Sequence, residues 1–174
     1  MKTWIRAALL TLLPLGLFVA LWLNGRTTPQ QSASLKQAGT LTRHTGGTVP
    51  FASLQGHVRI VNFWATWCPP CVKEIPELLR VAKSMEAEGV VLLAVNADGS
   101  EQPKAFVDEF LLQHPSGLGQ FVVYGDEPFL AQFRVTALPT TFVLDRAGQL
   151  VERFEGGLDE SSLRAALVKA SARP

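Results

Sequence analysis

Cysteine is scarce in this chain: Cys68 and Cys71 are the only two among 174 residues. Histidine is hardly commoner. His44, His57 and His114 stand singly, without the paired spacing that would complete a zinc site begun by the two cysteines. Charge of one sign is also missing. The formal net charge is +1 and the basic residues are scattered, so there is no electrostatic footprint for nucleic acid. No glycine-rich loop of the phosphate-cradling kind occurs, and Gly46-Gly47 and Gly156-Gly157 read as turns. Glycine and proline punctuate the chain without low complexity, and no internal repeat is present. The stretch beyond Ser34 is long enough for one ordinary core.

The two cysteines sit three positions apart, in Trp67-Cys68-Pro69-Pro70-Cys71. A disulfide between them closes so small a ring that it does little for loop-closure entropy. A cross-link that stabilises so little reads as chemistry rather than as a staple. Upstream, Val58–Ala65 is a dense apolar run, the pattern of a buried strand. Downstream, Val72, Ile75, Leu78, Leu79, Ala82 and Met85 recur at the spacing of one helix face, and Gly89 is placed to end that helix. Strand, tight turn and helix set Cys68 at a helix N-terminus, where unpaired N–H groups and the positive dipole end favour a thiolate. Pro69 and Pro70 suit a first helical turn, but each withholds a donor that could otherwise reach the Cys68 sulfur. Pro76 removes the N–H that would bond to Val72, so a kink is expected there.

Asn62-Phe63-Trp64-Ala65-Thr66-Trp67-Cys68-Pro69-Pro70-Cys71, with Leu138-Pro139-Thr140-Thr141-Phe142-Val143-Leu144-Asp145 further on, resembles the thioredoxin-fold proteins. Within them it is most similar to the TlpA/ResA/CcmG-like group of membrane-anchored thiol–disulfide oxidoreductases. The likeness runs from about Gly47 to Ala170. A bare C-x-x-C is a weak signal. Joined to the preceding tryptophan, the upstream strand and the downstream X-Pro-Thr-Thr strand, it is a strong one.

The remaining pattern fits that fold. A strand-like segment near Gly47–Leu54 leads through a turn at Gln55-Gly56-His57 into the Val58–Ala65 strand. Val90–Val95 is a continuous apolar run, hence a central parallel strand. Pro103 to about Leu112 reads as a helix and Phe121–Tyr124 as a short strand, the two elements that TlpA-like proteins insert. Asp126 caps a helix from about Pro128 to Phe133, and Asp159 caps the last one, Glu160–Ala170. Thr140–Leu144 and Leu150–Phe154 form a closing hairpin. The expected class is α/β, a thioredoxin-like central mixed sheet flanked by helices on both faces, preceded by an N-terminal transmembrane helix.

That helix is read at residues 7–23, apolar apart from Thr11 and preceded by Lys2 and Arg6. Its length of roughly 26 Å is slightly short of a hydrocarbon core of about 30 Å. Trp4 and Trp22 bracket it as interfacial residues do, and Pro14 is tolerable in a membrane helix. The competing reading is a cleaved signal peptide. The long apolar stretch, the poor cleavage context at Trp22-Leu23-Asn24 and the absence of a lipoprotein cysteine argue for an uncleaved anchor. The expected organisation is a signal anchor over residues 1–23, a flexible linker over 24–43 and a thioredoxin-like domain over 44–174. Lys2 and Arg6 against Arg26 put the N-terminus in the cytoplasm and the domain on the periplasmic side of the inner membrane.

The resemblance also implies roles. Cys68 attacks a substrate disulfide and Cys71 resolves the mixed disulfide, the pair forming a redox-active disulfide. Glu74, three residues after Cys71, is the expected acid/base for the thiols; the alternative is a solvated carboxylate beside Lys73. Thioredoxins proper carry an aspartate where Asn62 stands, so that proton route is closed here. Pro139 matches the family's cis-proline, leaving the Leu138 backbone free to pair with a substrate strand. Trp67 is expected at the substrate-binding edge and Trp64 in the core. Ala137 stands where the family often has glycine, which narrows the groove. The implied partners are protein thiols and disulfides, such as the C-x-x-C-H of apocytochrome c, and a transmembrane thiol-reducing electron donor. No cofactor and no metal is called for. An oxidase or isomerase running the same chemistry in reverse is one alternative, and a copper metallochaperone is another.

Overall fold

Seven consecutive residues, Val58–Trp64, are buried and form the strand around which the rest is arranged. A strand buried on both faces needs layers on both, and this chain supplies them. The computed structural model describes residue 35 and residues 39–99 and 103–173. In chain order these hold β1 (Thr40–Arg43), β2 (Thr48–Pro50), a 3-10 turn (Phe51–Leu54), β3 (Val58–Trp64), α1 (Pro69–Ser84), β4 (Val90–Asn96), α2 (Pro103–Gln113), β5 (Val122–Gly125), α3 (Glu127–Phe133), β6 (Thr140–Leu144), β7 (Leu150–Glu155) and α4 (Glu160–Ser171).

The strands form one mixed sheet in the order β2-β1-β5-β4-β3-β6-β7. β3 runs parallel to β4, with Val58 opposite Val90 and Trp64 opposite Asn96, and antiparallel to β6, with Phe63 opposite Thr140. Three chain segments therefore meet at one end of the sheet: the exits of β3 and β4 and the entry of β6. Side chains alternate across the sheet. Val58, Ile60 and Trp64 face a core shared with Ile75 and Leu78 of α1, Val107 and Phe110 of α2, and Leu163 and Leu167 of α4. Val61 and Phe63 face the other core, with Phe51, Phe129 and Phe133 of the 3-10 turn and α3 and Phe142 of β6. Edge-to-face, tilted and stacked rings lie 4.7 to 6.2 Å apart there.

Caps act where the sequence placed them. The Asp126 carboxylate accepts the Phe129 N–H at 2.9 Å, and the Asp159 carboxylate accepts the Ser162 N–H at 2.9 Å. α1 runs through Pro76 and ends at Ser84, earlier than a stop at Gly89 would require. A 3-10 turn over Glu86–Glu88 intervenes, and Gly89 closes it in the left-handed region at φ 81°. There an added Cβ would also press on the Arg146 guanidinium at 3.3 Å.

The start of the folded unit needs correction. Thr40–Arg43, read as the end of a linker, is β1, paired antiparallel with both β2 and β5. Its single large apolar residue, Leu41, is fully buried in the aromatic core, and Leu35 is buried there too. The strand-like segment at Gly47–Leu54 is a three-residue strand followed by a 3-10 turn. The membrane segment read at residues 7–23 lies outside the described residues. Among the described residues, no helix is long and apolar enough to cross a membrane.

Candidate active site

β3 leaves the sheet at Trp64, and five residues later α1 begins. Cys68 is the N-cap of α1, with Pro69 and Pro70 as its first helical residues. Because those prolines lack N–H groups, the nearest donor to the Cys68 sulfur is the Cys71 N–H, at 3.3 Å. The two cysteines are joined as a disulfide with Cα atoms 5.3 Å apart. Cys68 lines a cavity of about 590 Å³ and Cys71 does not. An incoming sulfur thus has a way to Cys68, while Cys71 lies wholly inside α1's buried face.

The cavity wall is apolar: Phe63, Trp67, Leu130, Val135, Ala137 and Leu138 contribute to it. Trp67 is 65% exposed at its rim, whereas Trp64 is fully buried in the core. The Leu138–Pro139 peptide bond is cis. Pro139 enters β6, where its carbonyl accepts the Gly156 N–H at 2.9 Å. The N–H and carbonyl of Leu138 stand outside the β3–β6 ladder and have no backbone partner among the described residues. Ala137, by contrast, has its carbonyl bonded to the Thr140 hydroxyl at 2.7 Å.

Glu74 sits on α1 one turn beyond Cys71 and is 6% exposed, which removes the reading of it as a solvated surface carboxylate. Its Oε1 accepts from the Asn62 amide at 2.9 Å, and its Oε2 accepts the Leu158 N–H at 3.0 Å. Burial pushes its carboxyl above the ordinary value of 4.5, and the bonds from Leu158 and Asn62 pull it part of the way back. A carboxyl group so placed can hold a proton inside the protein.

Asn62 is the residue whose importance the sequence left half seen. It closes one proton route, but its amide also donates to Glu74 and, at 2.9 Å, to the Thr141 hydroxyl. An aspartate at this position would set a second carboxylate against the first. The available signal was strand parity: Asn62 points the same way as Ile60 and Trp64, toward the helix that carries Glu74. The Leu158 contribution had no sequence signal, since it comes from a backbone N–H 84 residues away. Among the described residues, no group of three or more His, Cys, Asp or Glu side chains is gathered to hold a metal.

These features have counterparts elsewhere. Residues 29–167 match the redoxin family. The thiol-disulfide oxidoreductase ResA of Bacillus thuringiensis is 30% identical over 125 residues, covering 71% of this chain and 69% of its own. The ResA of Bacillus subtilis is 32% identical over 118 residues, covering 68% and 64%. The crystal structure of a thiol:disulfide interchange protein of the thioredoxin family from Chlorobium tepidum superposes with a TM-score of 0.66 at 25% identity. That superposition covers 78% of this chain and 96% of the other. The fold agrees with these relatives, and the chain belongs to the redoxin family as a thiol–disulfide oxidoreductase of the TlpA/ResA/CcmG-like group, acting through Cys68 and Cys71.

Proposed function

We propose that this oxidoreductase is a dedicated reductant of protein disulfides outside the cytoplasm, held at the inner membrane by residues 1–23 with its catalytic domain on the periplasmic side. The best-fitting substrate is the C-x-x-C-H disulfide of apocytochrome c before haem attachment, and a transmembrane thiol-reducing protein is the electron source. The observation that carries the reading is Glu74, buried one turn from the resolving cysteine and held by Asn62 and Leu158.

The reduced protein starts with a Cys68 thiolate favoured by its place at the start of α1. That thiolate attacks one sulfur of the substrate disulfide, and the other substrate sulfur leaves as a thiolate. Cys71 then gives its proton to Glu74 and attacks the Cys68 sulfur. The mixed disulfide breaks, the second substrate thiolate leaves, and the Cys68–Cys71 disulfide forms. Two electrons pass to the substrate. One proton comes from Cys71 by way of Glu74 and the other from solvent. Leu138 supplies a backbone edge for an extended substrate, and Trp67 covers it at the cavity rim.

The test is the reduction potential of the full chain, equilibrated in thiol–disulfide buffers and read through the change in tryptophan fluorescence on reduction. A value at or below about −270 mV, where thioredoxin lies, supports a reductant. A value near about −120 mV, where strong oxidants lie, replaces it with an oxidase or isomerase.

A further inference from the structure

The β3–β4 ladder stops at Trp64 opposite Asn96, and one further bond, from the Ala97 N–H to the Trp64 carbonyl at 2.8 Å, prolongs it. Beyond that, among the described residues, the side chain of Asp98 joins the two segments. Asp98 Oδ1 accepts both the Thr66 N–H at 2.8 Å and the Thr66 hydroxyl at 3.0 Å. Asp98 Oδ2 accepts from the buried Asn96 amide at 2.8 Å, and the Asp98 N–H reaches back to the Asn96 oxygen at 3.4 Å. Oδ1 thus holds the turn that precedes the active cysteines, while Oδ2 anchors the carboxylate to the end of β4.

That turn has little else to hold it. Within it, the Cys68 N–H bonds to the Ala65 carbonyl at 3.2 Å. Trp67, between Thr66 and Cys68, is mostly exposed, so core packing does not set its direction. Ala97, next to Asp98, lines the same cavity as Trp67 and Cys68. The clamp therefore ties together the chain neighbours of two cavity-lining residues, Ala97 and Trp67.

We infer that Asp98 is a positioning residue for exchange with protein substrates, holding Thr66 so that Trp67 stands over the cavity beside Cys68. Its effect grows with substrate size. A small disulfide needs only the Cys68 sulfur, whereas a polypeptide must also fit between Trp67 and Leu138. The inference rests on thiol–disulfide exchange itself and not on its direction in the cell.

The test compares two substrates on the full-length chain: insulin, turned over with dithiothreitol as reductant, and 5,5′-dithiobis(2-nitrobenzoate) attacked by the reduced protein. Asp98→Ala is expected to lower kcat/KM for insulin about tenfold while leaving the small disulfide within about twofold, since misplaced binding groups cost rate only where they touch substrate. Asp98→Asn keeps an oxygen for Thr66, and the Asn96 amide can turn to meet its new N–H₂. It is expected to restore insulin turnover to within about threefold of the parent. Thr66→Val removes the hydroxyl but not the N–H. It gives an intermediate loss with the same preference and carries the test if Asp98→Ala does not fold. Equal losses on both substrates, an unaffected Asp98→Ala, or an Asn variant as slow as the Ala variant would each overturn the inference.

Discussion

Odd and even positions of β3 look into two interiors built on different terms. On the odd side, Val61 and Phe63 join Phe51, Phe129, Phe133 and Phe142, whose rings meet at tilted and edge-on angles. A buried charge on that side, Arg59, lies at the start of β3, away from the cysteines. Its guanidinium lies 5.1 Å from the Phe51 ring centre and donates to the Asp145 carbonyl at 3.2 Å. On the even side, Asn62 stands between Ile60 and Trp64 and binds Glu74, near the cysteines. The contrast sets a packed aromatic interior on one face against, on the other, the buried carboxyl to which the proposed proton transfer is assigned. A redox centre whose sulfurs must be attacked and released gains from a partner face that does not shift.

The largest effect is expected from breaking the aromatic face. Phe133 is fully buried and meets four other rings, so Phe133→Ala should cost about 3–5 kcal/mol in denaturant unfolding. The pH profile of exchange by the folded fraction should stay where it was. A shifted profile would mean that the two faces are not separable.

Asn62→Asp attacks the other face. It removes both amide donors and brings a second carboxylate against Glu74, so stability at neutral pH should fall by about 1–3 kcal/mol. Like charges raise the pair's proton affinity above that of the unfolded chain. The loss should therefore shrink as pH falls and the pair takes up a proton, and a loss independent of pH would contradict the mechanism.

Glu74→Gln is expected to move stability least and pH dependence most. With its folded pKa raised above 4.5, Glu74 makes the native state bind more protons than the unfolded chain. Its contribution is thus fully present below the unfolded pKa and is lost as pH rises through the folded one. The Gln variant should flatten that slope and change the pH profile of mixed-disulfide resolution. An unchanged profile would leave Glu74 a structural residue only.

How far this was legible in the sequence follows from distance along the chain. β3, α1 and the cysteine turn are contiguous, so apolar runs and helical spacing placed them. The β6 entry at Pro139 carried a motif of its own. β1 was missed because Leu41 alone cannot signal a strand, and its pairing with β5 spans more than 80 residues. Glu74 was legible as a candidate. Its burial was not, because the groups that hold it, Asn62 (which also donates to Thr141) and Leu158, come together only through sheet register and the turn after β7. Asp98 was invisible for the same reason, since its bond to Thr66 requires knowing where the β3–β4 ladder ends.

The most direct test of the account is to trap the first covalent step. Full-length Cys71→Ser, reduced and mixed with a disulfide-bearing protein, should accumulate a mixed disulfide through Cys68 that dithiothreitol releases. Cys68→Ser under the same conditions should trap far less, because its remaining thiol lies outside the cavity. Equal trapping by both variants, or trapping through Cys71 alone, would contradict the assignment of Cys68 as the attacking sulfur.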